Sequence, residues 1–190
     1  MRLVLTAMLG ASISASLFAQ SEVKQRRENQ QDRIANGISD GQLTAGETAN
    51  LEKKEAGLNQ EIRNDRAANG GNLTNKEKAQ INRQQNKLSN QIYADKHNGA
   101  VQHYGNNEVD QRRENQQDRI AQGVRSGQLT AGETAHLEKS QAAINHEVHN
   151  GRVANGGNLT NKEKAQVNRQ QNHQSARIWG AKHNGAHGPR

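Results

Sequence analysis

The chain of 190 residues has no cysteine, one proline, one phenylalanine, one tryptophan and two tyrosines. Without cysteine there is no disulfide framework, no lipid-modified thiol and no cysteine nucleophile. Too few aromatic residues remain for an array that stacks nucleobases, since only Tyr93, Tyr104 and Trp179 are outside the first twenty residues. Large aliphatic residues are sparse as well: Leu, Ile, Val and Phe make up 23 of the 170 residues after position 20, so a thick core is excluded. The sequence also lacks a Walker glycine loop, a serine in a strand-to-helix elbow and a His-Glu-x-x-His helix, which argues against an enzyme. Interspersed charges, a single Pro189 and apolar residues at helical spacing separate the chain from disordered, low-complexity sequence.

One apolar stretch is present. Met1-Arg2 precede a run from Leu3 to Phe18, and the polar chain begins at Gln20. The run is short for a membrane span and reads as a secretory signal peptide over residues 1–19, cleaved after Ala19. The expected location is outside the cytoplasm, periplasmic or extracellular, with no membrane-spanning segment after cleavage.

What the chain has in abundance is itself. Residues 22–99 recur at 108–185, about 70 per cent identical and without a gap. The opening Gln25-Arg26-Arg27-Glu28-Asn29-Gln30-Gln31-Asp32-Arg33-Ile34 returns as Gln111 to Ile120. A repeat of this size points to tandem modules. Within each copy Gly41-Gln42-Leu43-Thr44-Ala45-Gly46-Glu47 is echoed thirty residues on by Gly71-Asn72-Leu73-Thr74-Asn75-Lys76-Glu77, and both return around Thr130 and Thr160. Thr followed three residues later by Glu is the capping box, so four helix starts are marked. Behind them Leu51, Leu58 and Ile62, and at the same offset Ile81, Leu88 and Ile92, make a narrow apolar stripe along one helix face. The stretch carrying Val23 and Ile34 is predicted to form a shorter helix that stops at Asn36-Gly37.

The expected architecture is therefore all-α: two tandem copies of a three-helix unit, each a short helix plus a long antiparallel helical hairpin, over 22–99 and 108–185. Residues 100–107 form the expected linker and 186–190 a tail. Comparing the copies separates inside from outside. Ile38/Val124, Leu58/Ile144, Ile62/Val148, Ile81/Val167 and Tyr93/Trp179 keep their bulk and are predicted buried. Asn50, Gln60, Arg63 and Lys87 become His136, His146, His149 and His173 and are predicted exposed, while Leu88 to Gln174 breaks the pattern.

Two groups of residues could hold metal. The run from Asn36 to Glu47 resembles the latter half of an EF-hand loop. With Gly41 as turn glycine, Asp40 and Glu47 stand at the fifth and twelfth positions, which that resemblance assigns as calcium ligands. Asn36 and Ile38 depart from its first half, and capping by Thr44 and Glu47 explains the same residues. Six of the eight histidines lie in or after the second copy, with His146 and His149 one turn apart, a spacing at which imidazoles can share Zn, Ni or Cu. Neither group demands a cofactor.

Gly-x-Leu-Thr-x-x-Glu units, Asp-Arg-Ile-Ala at Asp32 to Ala35 and Asp118 to Ala121, and the Lys-His-Asn-Gly ends at Lys96 and Lys182 resemble a group of uncharacterised exported bacterial helical-repeat proteins. That resemblance implies export and helical repeats and brings no activity with it. The expected function is a non-enzymatic structural or interaction module of the envelope or exterior, whose partner is a protein or an anionic envelope component. Weak divalent-cation binding is the first alternative. Polyanion or nucleic-acid binding is the second: after loss of Arg2, 25 basic and 19 acidic residues leave a charge of +6, yet the Arg pairs at 26–27 and 112–113 are too short to track phosphates. The slim seam also leaves room for self-association that completes the core.

Overall fold

The computed structural model describes residues 11–188. It is all-α, with six helices: α1 Ala11–Ser39, α2 Ala45–Ala68, α3 Asn75–Lys96, α4 Glu108–Arg125, α5 Ala131–Ala154 and α6 Asn161–Lys182. Among the described residues there is no strand, and no helix is long and apolar enough to cross a membrane. The expected signal falls partly on residues 1–10, outside the described residues. From Ala11 the helix runs unbroken past Ala19, so α1 is longer than the short helix expected; its alanine-rich start favours helix.

All four capping boxes form. Thr44, Thr74, Thr130 and Thr160 each accept from the backbone N–H of Glu47, Glu77, Glu133 and Glu163, whose carboxylates accept from the cap residue's own N–H. Each box satisfies two otherwise orphaned donors and contributes about 1 kcal/mol. A fifth cap, Asn107, accepts from Asp110 N and starts α4. The hairpin turns close with a C-terminal bond of the same kind in both copies, Gly71 N to Arg66 O and Gly157 N to Arg152 O, each 2.7 Å.

The predicted stop at Asn36-Gly37 is not where α1 ends. A Cβ on Gly37 would lie 2.7 Å from the Leu43 side chain, and one on Gly123 would lie 2.6 Å from Leu129. These glycines are seats for the leucine that follows the turn. The reversal itself comes at Gly41 (φ 66°) and Gly127 (φ 70°), a left-handed backbone that glycine adopts without strain.

Packing joins the copies. Helix α2 lies against α5 and α1 against α4, each beside its own repeat equivalent, while α3 and α6 pack within their own copies; this is the isologous pattern of a two-fold relation. One central core takes Ile34, Ile38, Leu43, Leu51, Leu88 and Ile92 from the first copy and Ile120, Val124, Leu129, Leu137 and Ile178 from the second. Each copy keeps a smaller cluster at its far end: Val23, Leu58, Ile62, Leu73 and Ile81, and Val109, Ile144, Val148, Leu159 and Val167. The slim seam is thus completed by the other copy within the same chain.

The expected linker is partly built into the fold. Gln102 N donates to Gly41 O (2.8 Å), and its repeat equivalent Gly188 N donates to Gly127 O (2.9 Å), so the repeating structure extends past Gly99 and Gly185. Of the five pairs predicted inside, four are buried. Tyr93 and Trp179 are each 62 % exposed, because Ile92 and Ile178 take the core-facing position beside them. The departure from Leu88 to Gln174 keeps its place inside: the Gln174 amide donates to Leu137 O at 2.8 Å. His136, His146, His149 and His173 are exposed, as are the residues they replace.

Candidate functional site

The turn between α1 and α2 spends its acidic residues locally. Helix α1 continues to Ser39, so the first four positions of the EF-hand-like loop are wound into helix. Glu47 Oε2 accepts from Thr44 N (2.9 Å) and Thr44 Oγ1 (2.7 Å), and Glu47 Oε1 accepts from Asn98 Nδ2 (2.6 Å). Asp40 is exposed beyond the helix end. His146 contacts Asn150 Nδ2 at 3.2 Å on the open face of α5, with His149 exposed on the same helix. Among the described residues no three His, Cys, Asp or Glu side chains gather at metal-binding distance, so Asp40 and Glu47 are not joined by the His146 and His149 pair.

Sequence reading missed the carboxylates in the interior. Glu52, Glu55 and Glu138 are fully covered, on the face of α2 and α5 that carries Leu51, Leu58 and their equivalents. Glu52 Oε2 accepts from Gln31 Nε2 (3.1 Å) and Glu138 Oε2 from Gln117 Nε2 (2.9 Å); Oε1 of each has no partner. Burial pushes the Glu52 carboxyl well above the ordinary range, and the nearby charges of Glu55 and Glu138 add to the rise against the Gln31 bond. Glu138 is raised to about 8 by burial, with Gln117 opposing. Glu55 is raised to about 7 by burial, with Arg27 opposing. At neutral pH Glu138 favours the protonated form and Glu55 stands near its midpoint, the usual upward response of a carboxyl sealed in apolar surroundings. All three are closed off from solvent.

A second polar cluster differs between copies in an instructive way. In the second copy Asp110, itself buried, takes Arg113 Nη1 and Arg152 Nη2 at 2.8 Å each, and Arg113 Nε donates to Asn145 Oδ1. Tyr104 from the connecting segment lies under the Arg113 guanidinium, 5.1 Å from ring centre to Cζ. Although burial pushes the Asp110 carboxyl up, the bond and charge of Arg152 and the charge of Arg113 win and hold it below its ordinary value. In the first copy Lys24 stands at the Asp110 position, and Arg27, equivalent to Arg113, instead approaches Glu55 at 3.9 Å. The second copy has Gln141 where the first has Glu55. Each copy thus supplies one carboxyl to this arginine, half-buried as Arg27 and buried as Arg113, from α2 in one and α4 in the other.

The outer surface repeats too. Small residues Gly46, Ala49 and Ala56 of α2 and Gly132, Ala135 and Ala142 of α5 line a shallow trough of about 570 Å³, rimmed by Lys53, Lys139 and His136. At the C-terminal ends of α3 and α6, Tyr93 stacks on His97 (centroids 4.2 Å, 25° between planes) and Trp179 on His183 (4.5 Å, 20°). Each His Nδ1 lies 2.7 Å from the carbonyl of its aromatic partner, so that nitrogen donates and the ring is held in place. The signal that could have found these platforms was present: an aromatic and a His four residues apart in both copies, flanking a core Ile. No protein-family model, curated protein or solved structure matches this chain.

Proposed function

We propose that the chain is a non-enzymatic, exported interaction module of the cell envelope or the extracellular space. One observation carries this reading: the capping and interior carboxylates are committed to holding the fold. The capping glutamates close helix N-termini, Asp110 is held by two arginines, and Glu52, Glu55 and Glu138 are sealed between helices. What faces outward is instead a set of surface features displayed twice by one jointly packed body. Two equivalent faces on one frame suit multivalent attachment, in which a second contact forms at high effective concentration.

Expression of the full chain in a bacterial host, followed by fractionation and N-terminal sequencing, tests the export half. The expected product begins at Gln20 and is recovered outside the cytoplasm. Co-sedimentation with purified envelope fragments tests the attachment half. An intact N-terminus in the cytosol, together with no retention on envelope material, overturns the proposal.

A further inference from the structure

Two of the three aromatic side chains after residue 20 are on the surface, at equivalent positions, in a chain short of large apolar residues for its core. Leaving both rings outside forgoes apolar burial that the fold could use. The copies have diverged at this position from Tyr to Trp, yet the ring, its exposure and its stacked His are all retained. Tyr and Trp, apolar rings with a polar handle, are enriched at contact surfaces.

We propose that the Tyr93–His97 and Trp179–His183 platforms form a pair of carbohydrate-binding sites for a neutral, repeating glycan. Each flat ring offers its face to the C–H edge of a sugar, and each His Nε2 accepts from a hydroxyl. The surroundings favour an uncharged, hydroxyl-rich partner over a phosphate chain. Next to each His, Asn98 and Asn184 donate to the carboxylates of Glu47 and Glu133 (2.6 and 2.5 Å), which places fixed acid beside each platform. Arg177 and Lys182, the cations nearest in sequence to Trp179, are occupied by Ser140 Oγ at 2.6 Å and Gln122 Oε1 at 3.0 Å. A repeating polymer suits two equivalent sites on one frame, since each added contact raises residence time.

This inference rests on the interaction-module reading and names its partner class. Trp179 is the chain's single tryptophan, so its emission reports occupancy of the second site directly. The full chain is titrated with chitohexaose, cellohexaose, oligo-dT and anionic phospholipid vesicles, at about 50 mM and about 500 mM salt. The expected result is a saturable blue shift with at least one neutral oligosaccharide, unchanged by salt. By calorimetry Trp179→Ala and Tyr93→Ala each weaken binding about tenfold, with helicity intact because both rings are exposed. No response to either oligosaccharide overturns the proposal, as does a response confined to oligo-dT or vesicles that collapses with salt. Retention on envelope fragments without an oligosaccharide response removes the glycan assignment and leaves the interaction module standing.

Discussion

Raising the pH from 5 to 9 is expected to destabilise this protein, the reverse of the behaviour of a fold held by ion-paired carboxylates. The perturbation acts on the carboxyls sealed between α2, α5 and α1. A group whose pKa is higher folded than unfolded binds its proton more tightly in the native state. Its contribution is therefore full below the ordinary carboxylate value and is lost as pH climbs through the folded one. For Glu138, held at about 8 against an ordinary 4.5, the loss is on the order of 5 kcal/mol; for Glu55, at about 7, it is about 3 kcal/mol. Glu52 acts in the same direction. The falling stability should begin near pH 4.5 and level off above about 8. Urea melts followed by circular dichroism across that range, on the full chain and on Glu138→Gln, provide the test. The amide keeps the shape and an acceptor for Gln117 without a charge to bury, so the variant should match the parent at pH 5 and exceed it at pH 9 by several kcal/mol. A parent whose stability rises from pH 5 to 8, or parallel profiles for the two proteins, refutes the reasoning.

Further expectations follow from the differences between copies. Asp110→Asn should cost about 3 kcal/mol by leaving Arg113 without its carboxylate, and Gln141→Glu should restore part of it by recreating the arrangement around Arg27 and Glu55; a denaturation double-mutant cycle with no coupling would dismiss the equivalence. Gly123→Ala places a Cβ 2.6 Å from Leu129 and should lower stability by about 1–3 kcal/mol, whereas Gly132→Ala, with nothing within 4 Å, should be neutral or stabilising. Gln174→Leu, which copies Leu88, should stabilise by about 1 kcal/mol because it removes a buried Oε1 without a partner; a lower urea midpoint would show that the bond to Leu137 O outweighs it. A chain ending after the first copy would expose Ile34, Ile38, Leu51 and Ile92, and sedimentation should find it dimeric; a stable monomer would count against the shared core.

The helices were legible because their signals are local. Thr44 and Glu47 determine a helix start within four residues, and the stripe of Leu51, Leu58 and Ile62 reports one face of one helix. Retained bulk at Tyr93 and Trp179 does not signify burial: the rings are adjacent to the buried isoleucines. Periodicity would have placed them correctly: Ile81, Leu88 and Ile92 define the inner face of α3, and residue 93 falls about a hundred degrees away from Ile92. The interior carboxylates were hidden for the opposite reason. Glu52 and Glu55 are on the correct face for burial, but glutamates on either side of Lys53-Lys54 on a polar helix look solvated until another helix is known to cover them.

That covering helix is what no local pattern reveals. Repeats in sequence are equally compatible with beads on a linker, a translational stack or a two-fold pair, and the residues that decide are few. Ile34, Ile38, Leu43 and Leu51 exceed what one three-helix unit can bury at its near end, where its other apolar residues serve the far cluster around Ile62 and Leu73. The surplus apolar surface must meet its like, and the nearest matching surface is the other copy, tethered by a segment that itself packs through Gln102 and Tyr104. Glutamine completes what the scarce aliphatics leave open: Gln30 and Gln116 donate to the backbone carbonyls of Gln85 and Gln171, fastening α1 to α3 and α4 to α6. Such bonds contribute about 1 kcal/mol each and demand one register. A core this polar is thus held by direction as much as by burial.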